Sequence, residues 1–296
     1  MDKSEYKDEL EDSEIDTLIS LMLDSAKEFD SSSLKSLQTA GDRALKKLVK
    51  FFPGPLTCDR YREADRLPRA DRHGPLLKAL IAFGENAAPH IIPLLDSLDT
   101  DVRFYSTFLF SEIRSFGAVE SLSRRLFDSD RSIRGIAADV MSEYSGSDEY
   151  NQAIDYIVEM LNSSSRDLEM KRNAASALGN LGEPKGVSYL ISMLDSVDEH
   201  LVRAVRRALI KITFFDHGLA VRRWSEWYEI FQHRNREEWA VEGLTNEEET
   251  IRRSAWLYLA PKVKDMTDIA PDGPVTMRDY KEIQDLLKRR RREEGR

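Results

Sequence analysis

Five histidines and one cysteine are the side chains best suited to nucleophilic, acid–base or metal chemistry in this chain of 296 residues. His73, His90, His200, His217 and His233 are scattered. None forms the H-x-H or H-E-x-x-H pattern that sets two imidazoles on one helix face around zinc or iron. Cys58 stands in an arginine-rich stretch. It is alone, so neither a disulfide nor a four-ligand zinc site can be built from it. No G-x-S-x-G, P-loop or G-x-G-x-x-G occurs. The sequence therefore predicts no catalytic centre, no cofactor and no resident metal.

The side chains that recur with a pattern are those that bind. A base follows an apolar anchor at Arg103, Arg134, Lys171 with Arg172, Arg203 with Arg206 and Arg207, and Arg252 with Arg253. Acids lie close by at Asp101, Asp130, Asp167 and Asp198. Guanidinium and carboxylate fit each other bidentately, so Arg103, Arg134, Lys171 and Arg203 with these four acids are the expected structural ladder. Arg206 and Arg207 exceed what a ladder needs. Trp224, Trp227, Tyr228 and Phe231 fall on one helix face at i, i+3, i+4 and i+7. That stripe reads either as a core capping the end of a stack or as an aromatic groove. Arg172, Arg206, Arg207, Trp224, Trp227 and Tyr228 are thus the candidate partner-binding residues. They offer charge and stacking area to an acidic or mixed-charge peptide.

The elements that position these groups are paired helices. From Asp167 to Ser196, Met170, Ala174, Ala177, Leu178 and Leu181 make one apolar stripe and Val187, Leu190, Ile191 and Leu194 a second. Gly182 stops the first helix and Pro184 suits the start of the next. Neither helix can bury its stripe alone. A turn tag marks each unit: Leu95-Asp96-Ser97, Phe127-Asp128-Ser129, Leu161-Asn162-Ser163, Leu194-Asp195-Ser196 and Leu244-Thr245-Asn246. The first four recur every 32 to 34 residues, and the last comes late because a helix over Gly218–Gln232 is inserted.

The pattern D-x-x-[VIM]-[RK]-x-x-A, then A-L-G and G-x-P-x-x-V-x-x-L, resembles the HEAT-repeat family, especially its short bacterial version. Lys171 to Gly179 is the closest match, and the resemblance covers roughly Gly84 to Pro261. The blocks Phe52–Arg60 and His73–Leu80 also resemble bacterial multi-HEAT proteins. The resemblance implies an all-α solenoid of stacked antiparallel helix pairs whose second helices line a concave groove. It implies a non-enzymatic scaffold or adaptor for a protein or peptide partner. HEAT-like bilin lyases and DNA glycosylases keep an enzyme as the alternative, although no residue here matches a motif that could be carried over. The repeated His-Glu pairs of deoxyhypusine hydroxylase are absent.

Composition bounds these readings. Net charge is −9, so the chain as a whole is not built to coat nucleic acid. Residues 1–30 hold eleven acids against three lysines, and residues 278–296 eight bases against five acids. The expected organisation is an acidic segment over 1–13, a degenerate first helix pair over 14–52 and an Arg/Pro-rich loop over 53–75. The array runs over 76–265, with the aromatic insertion at 218–232, and a linker with a basic helix or tail fills 266–296. The long loop reads as a solvated crossover packed by Leu56, Tyr61 and Leu67, or as a lid over the groove. The basic tail allows weak contact with nucleic acid or an anionic surface, making a nucleic-acid-binding module a further alternative. A single cysteine and no run of roughly 20 apolar residues fit a cytoplasmic protein without a membrane span.

Overall fold

A computed structural model describes residues 10–24, 31–58, 60, 67–162, 167–262 and 275–294. Every regular element among them is helical, and the architecture is an α-solenoid of stacked antiparallel helix pairs. Residues 1–9, Tyr61, Ser163 and the expected linker up to residue 274 lie outside the described residues. Two compact units divide the chain, 1–153 and 154–296.

The first unit holds α1 (Asp12–Leu23), α2 (Ser31–Ala40), α3 (Asp42–Leu48), α4 (Pro75–Phe83), α5 (Ala88–Ile91), α6 (Thr100–Leu109), α7 (Val119–Arg125) and α8 (Arg131–Ser142). Helix α9 (Asp148–Asn162) contains the division. The second unit holds α10 (Leu168–Leu181), α11 (Val187–Ser192), α12 (Glu199–Thr213), α13 (Val221–Phe231), α14 (Arg236–Gly243), α15 (Glu249–Leu259) and α16 (Met277–Glu294). The second helix of the pair expected over 14–52 is broken, because Gly41 takes φ +56° between α2 and α3. The aromatic helix starts at Val221 rather than Gly218, whose φ of +65° lies in the left-handed region.

In the first unit the arginine ladder runs differently from its expected pairing. Arg103 grips an acid of the next turn, but it is Asp128, with two hydrogen bonds at 2.8 and 3.2 Å, rather than Asp101 or Asp130. Arg125 reaches the same carboxylate at 3.1 Å. Burial pushes the Asp128 carboxyl upward, but the Arg103 hydrogen bond, the Asp130 N–H and the charges of Arg103 and Arg125 outweigh it and hold it below its ordinary value. Asp101 and Asp130 are instead bridged by buried Arg60, at 2.5 and 2.9 Å. Arg60 belongs to the long loop after α3, whose ends are tied by Thr57 N–H to the His73 carbonyl at 2.8 Å. Arg60 thus spans the starts of α6 and α8. Leu56 is partly exposed, so the hydrophobic packing expected of the loop is carried in part by the Arg60 guanidinium, which lies 5.2 Å from the Phe104 ring centroid.

A second role for the repeated arginine is local. Arg103 Nη1 donates to the carbonyls of Ser97 and Leu98, Arg134 Nη1 to those of Asp128 and Ser129, and Arg252 Nη1 to those of Asn246 and Glu247. Each guanidinium satisfies the carbonyls six and five residues before it, at the bend where no helix can use them. Asp130, Asp167 and Asp198 cap the N-termini of α8, α10 and α12. In α6 the cap is Asp99 and not Asp101: Asp99 stands four residues before Arg103, as Asp130 does before Arg134 and Asp167 before Lys171.

Candidate protein-binding face

The second unit places its exposed bases through the packing of α10 on α12. Helix α12 buries Leu201, Val205, Ala208, Leu209 and Ile212. Helix α10 meets it with Ala174, Ala175, Ala177, Leu178 and Gly179. A Cβ added at Gly179 would stand 2.7 Å from Ala208 Cα, so only glycine permits this approach. The crossing brings Lys211 Nζ to Asn180 Oδ1, 2.8 Å away on α10. Gly182, at φ +66°, ends α10 as the sequence predicts, and Pro184 opens the next turn. Arg236 fills the notch beside Gly182 and donates to the Lys211 and Ile212 carbonyls at the end of α12.

Opposite the buried stripe, Arg203, Arg207 and Lys211 follow one another at four-residue steps and are all exposed. Arg203 stands at the ladder position yet leaves the ladder: its side chain is 56% exposed and its ion-pair partner is Glu199, 3.5 Å away on the same helix. An exposed pair of that kind holds an arginine only weakly. Arg207 has no ion-pair partner among the described residues. Arg172 of α10 is half-buried and lies 4.0 Å from Asp198, the α12 cap. Lys171 is half-buried as well. The face is therefore a short basic strip, Arg203, Arg207 and Lys211, edged by Arg172 and relieved by Glu199.

Arg206 faces elsewhere. It forms two hydrogen bonds with Asp216, one of them 2.9 Å from Nε to Oδ1. That hydrogen bond holds the Asp216 carboxyl below its ordinary range against the opposing effect of burial. The pairing depends on Phe214, a non-glycine residue at φ +63°, which turns the chain back after α12. Arg206 thus stitches a turn rather than extending the strip.

The aromatic stripe is core. Trp224 is fully buried and Trp227 is 5% exposed, whereas Tyr228 is half-buried. Trp224 donates to the Gly218 carbonyl at 3.0 Å, and Trp227 stacks on Phe231 with ring centroids 5.3 Å apart. Trp239 of α14 packs edge-on to Trp227 at 5.4 Å. The two indoles expected to contact a partner therefore face inward, because their rings close the hydrophobic seam between α13 and its neighbours.

His217 sits within this cluster, edge-on to Trp224 at 4.9 Å. Its Nε2 is buried and meets no acceptor among the described residues. Burial is the main cause of its lowered pKa, Arg223 adds to it, and Asp216 opposes. The folded state thus binds the His217 proton less readily than the unfolded chain. Folding stability should fall as pH drops below the unfolded value of about 6.5. The loss should level off once the folded imidazole also protonates. Thermal melts from pH 7.5 to 5 should show this decline, and His217→Phe should flatten it. An unchanged slope in that variant would remove His217 as the cause. The other histidines stand apart: His73 is buried against the Pro68 carbonyl, His90 pairs with Asp42, and His200 and His233 are exposed.

Residues 146–210, which include α10 and most of α12, match the family model described as HEAT repeats. That segment carries HEAT repeats. No curated protein matches the chain. Among solved structures, an engineered protein aligns over 94% of this chain and 78% of its own at 18% identity, with a TM-score of 0.36. A computationally designed armadillo repeat protein for modular peptide recognition covers 83% and 99%, at 18% identity and a TM-score of 0.31. A designed armadillo repeat protein in complex with the peptide (KR)4 covers 83% and 98%, at 19% identity and a TM-score of 0.32. No helix among the described residues is long and apolar enough to cross a membrane.

Proposed function

We propose that this protein is a non-enzymatic scaffold whose second unit holds an acidic segment of a partner protein on the exposed face of α12. The observation that carries the proposal is Arg207, exposed beside Arg203 and Lys211 with no acid of the described residues paired to it. Unpaired guanidinium groups are costly only to the extent that they are desolvated, and an incoming carboxylate can take their planar forks bidentately. Rigid HEAT packing around Gly179 and Ala208 keeps the strip in one conformation, which lowers the entropy lost on binding. Arg172, 4.0 Å from Asp198, remains at its margin as a candidate contact and Tyr228 is half-buried on α13, while Arg206 supports the fold.

A fluorescent Asp/Glu-rich peptide titrated against the whole chain tests this. Arg203→Glu with Arg207→Glu should weaken binding at least tenfold while leaving the melting temperature nearly unchanged, because both side chains are solvated. Arg222→Glu on α13 should have no effect. Equal affinity of the wild type and the double variant would refute the assignment.

A further inference from the structure

Helix α16 is held with one side in and the other out. Ile283 is fully buried and Leu287 is 4% exposed. Tyr280 donates to Glu242 of α14 at 2.6 Å, and Arg290 pairs with Glu237 of α14 and donates to the Lys262 carbonyl at 3.1 Å. Burial, reinforced by the Glu242 carboxylate, pushes the Tyr280 phenol up to about 12, so it stays a donor throughout the ordinary pH range. At about 100° per residue, Arg278, Lys281, Lys288, Arg289 and Arg292 fall within one arc of roughly 100° opposite Ile283 and Leu287. All five are exposed. Only Lys288 has an acid partner among the described residues, Asp285 at 3.6 Å. From position 278 to 292 the ridge is about 21 Å long at a rise of about 1.5 Å per residue.

We infer that this ridge is a contact for the phosphate backbone of nucleic acid. An amphipathic basic helix often lies on a membrane by inserting its apolar face, but here that face is already spent on α14. The ridge presents no aromatic side chain, and protein interfaces are depleted of lysine at their cores. Interfaces with nucleic acid are instead strongly positive and need only fixed bases beside a line of phosphates. Glu282 and Asp285 share the outer side and reduce its charge, so the contact is sequence-independent and salt-sensitive.

The test uses the whole chain and fluorescence anisotropy with a labelled DNA duplex of two helical turns and an RNA strand of equal length. Wild type should bind at about 50 mM salt and lose most of its affinity by about 200 mM, with a log–log slope near −3 to −4 for about four neutralised phosphates. Arg278→Gln, Lys281→Gln, Arg289→Gln and Arg292→Gln combined should reduce affinity at least tenfold, and glutamine keeps the helix. The Arg203→Glu, Arg207→Glu variant should bind nucleic acid as wild type does, which separates this inference from the acidic-segment reading. No binding at low salt, a salt-independent affinity, or preference for phosphatidylserine vesicles or polyglutamate would overturn it. Because the salt slope is read on the wild type, it stands even if the fourfold variant folds poorly.

Discussion

Trp224→Ala is expected to cost the second unit about 3–5 kcal/mol, the usual range for emptying a fully buried tryptophan site. The ring has no exposure, its indole N–H is satisfied by the Gly218 carbonyl, and it lies edge-on to both His217 and Trp227. Truncation would leave a cavity walled by aromatic rings that cannot collapse into it, and would orphan the carbonyl. Urea denaturation followed by circular dichroism measures the loss without relying on the removed fluorophore. Tyr228→Ala, one position past Trp227 and half-buried, should cost markedly less. A loss below about 1 kcal/mol for Trp224→Ala would mean that the stripe is surface after all.

The first unit should be as sensitive at a charged position. The Asp128 side chain is 2% exposed, between Arg103 and Arg125, and it also accepts the Asp130 N–H at 3.0 Å. Asp128→Ala leaves two guanidinium groups facing each other with no carboxylate between them, for an expected cost of about 3–5 kcal/mol. Asp96 offers the comparison: it pairs with Arg124 and Arg125 but is 47% exposed, so Asp96→Ala should cost less than about 1 kcal/mol. Equal effects from the two substitutions would show that burial does not set the strength of this network.

The helix pairs were legible because apolar period, turn tag and stop signal coincide, as at Leu178, Leu181, Gly182 and Pro184. The ladder was legible only as a set of residue types. Which carboxylate each arginine meets is set by the packing of neighbouring turns, and the α6 cap is the acid four residues before Arg103, Asp99. Asp101, inside the first turn of α6, instead meets Arg60, a residue of a loop with no period to predict its place. Arg206 looked like surplus charge because its partner Asp216 lies beyond a left-handed phenylalanine, and sequence gives no cue for that conformation in a bulky residue. The indole stripe had two readings because helical spacing says which residues share a face, not whether another element covers it. The four-residue step of Arg203, Arg207 and Lys211 was present in the sequence, opposite the Leu201, Val205, Ala208 and Ile212 stripe. It went unread because Arg203 matched the ladder pattern.

In the proposed function the α12 face, and not the aromatic end, holds the partner. Site-specific photo-crosslinking in cells that express the protein tests it most directly, with the reactive residue at His200, exposed on the same side of α12 as Arg203 and Arg207, or at Arg222 on α13. Mass spectrometry should then locate adducts from position 200 in acidic segments of a partner, and Arg203→Glu with Arg207→Glu should suppress them. Adducts arising equally from position 222, or surviving the double charge reversal, would contradict the account.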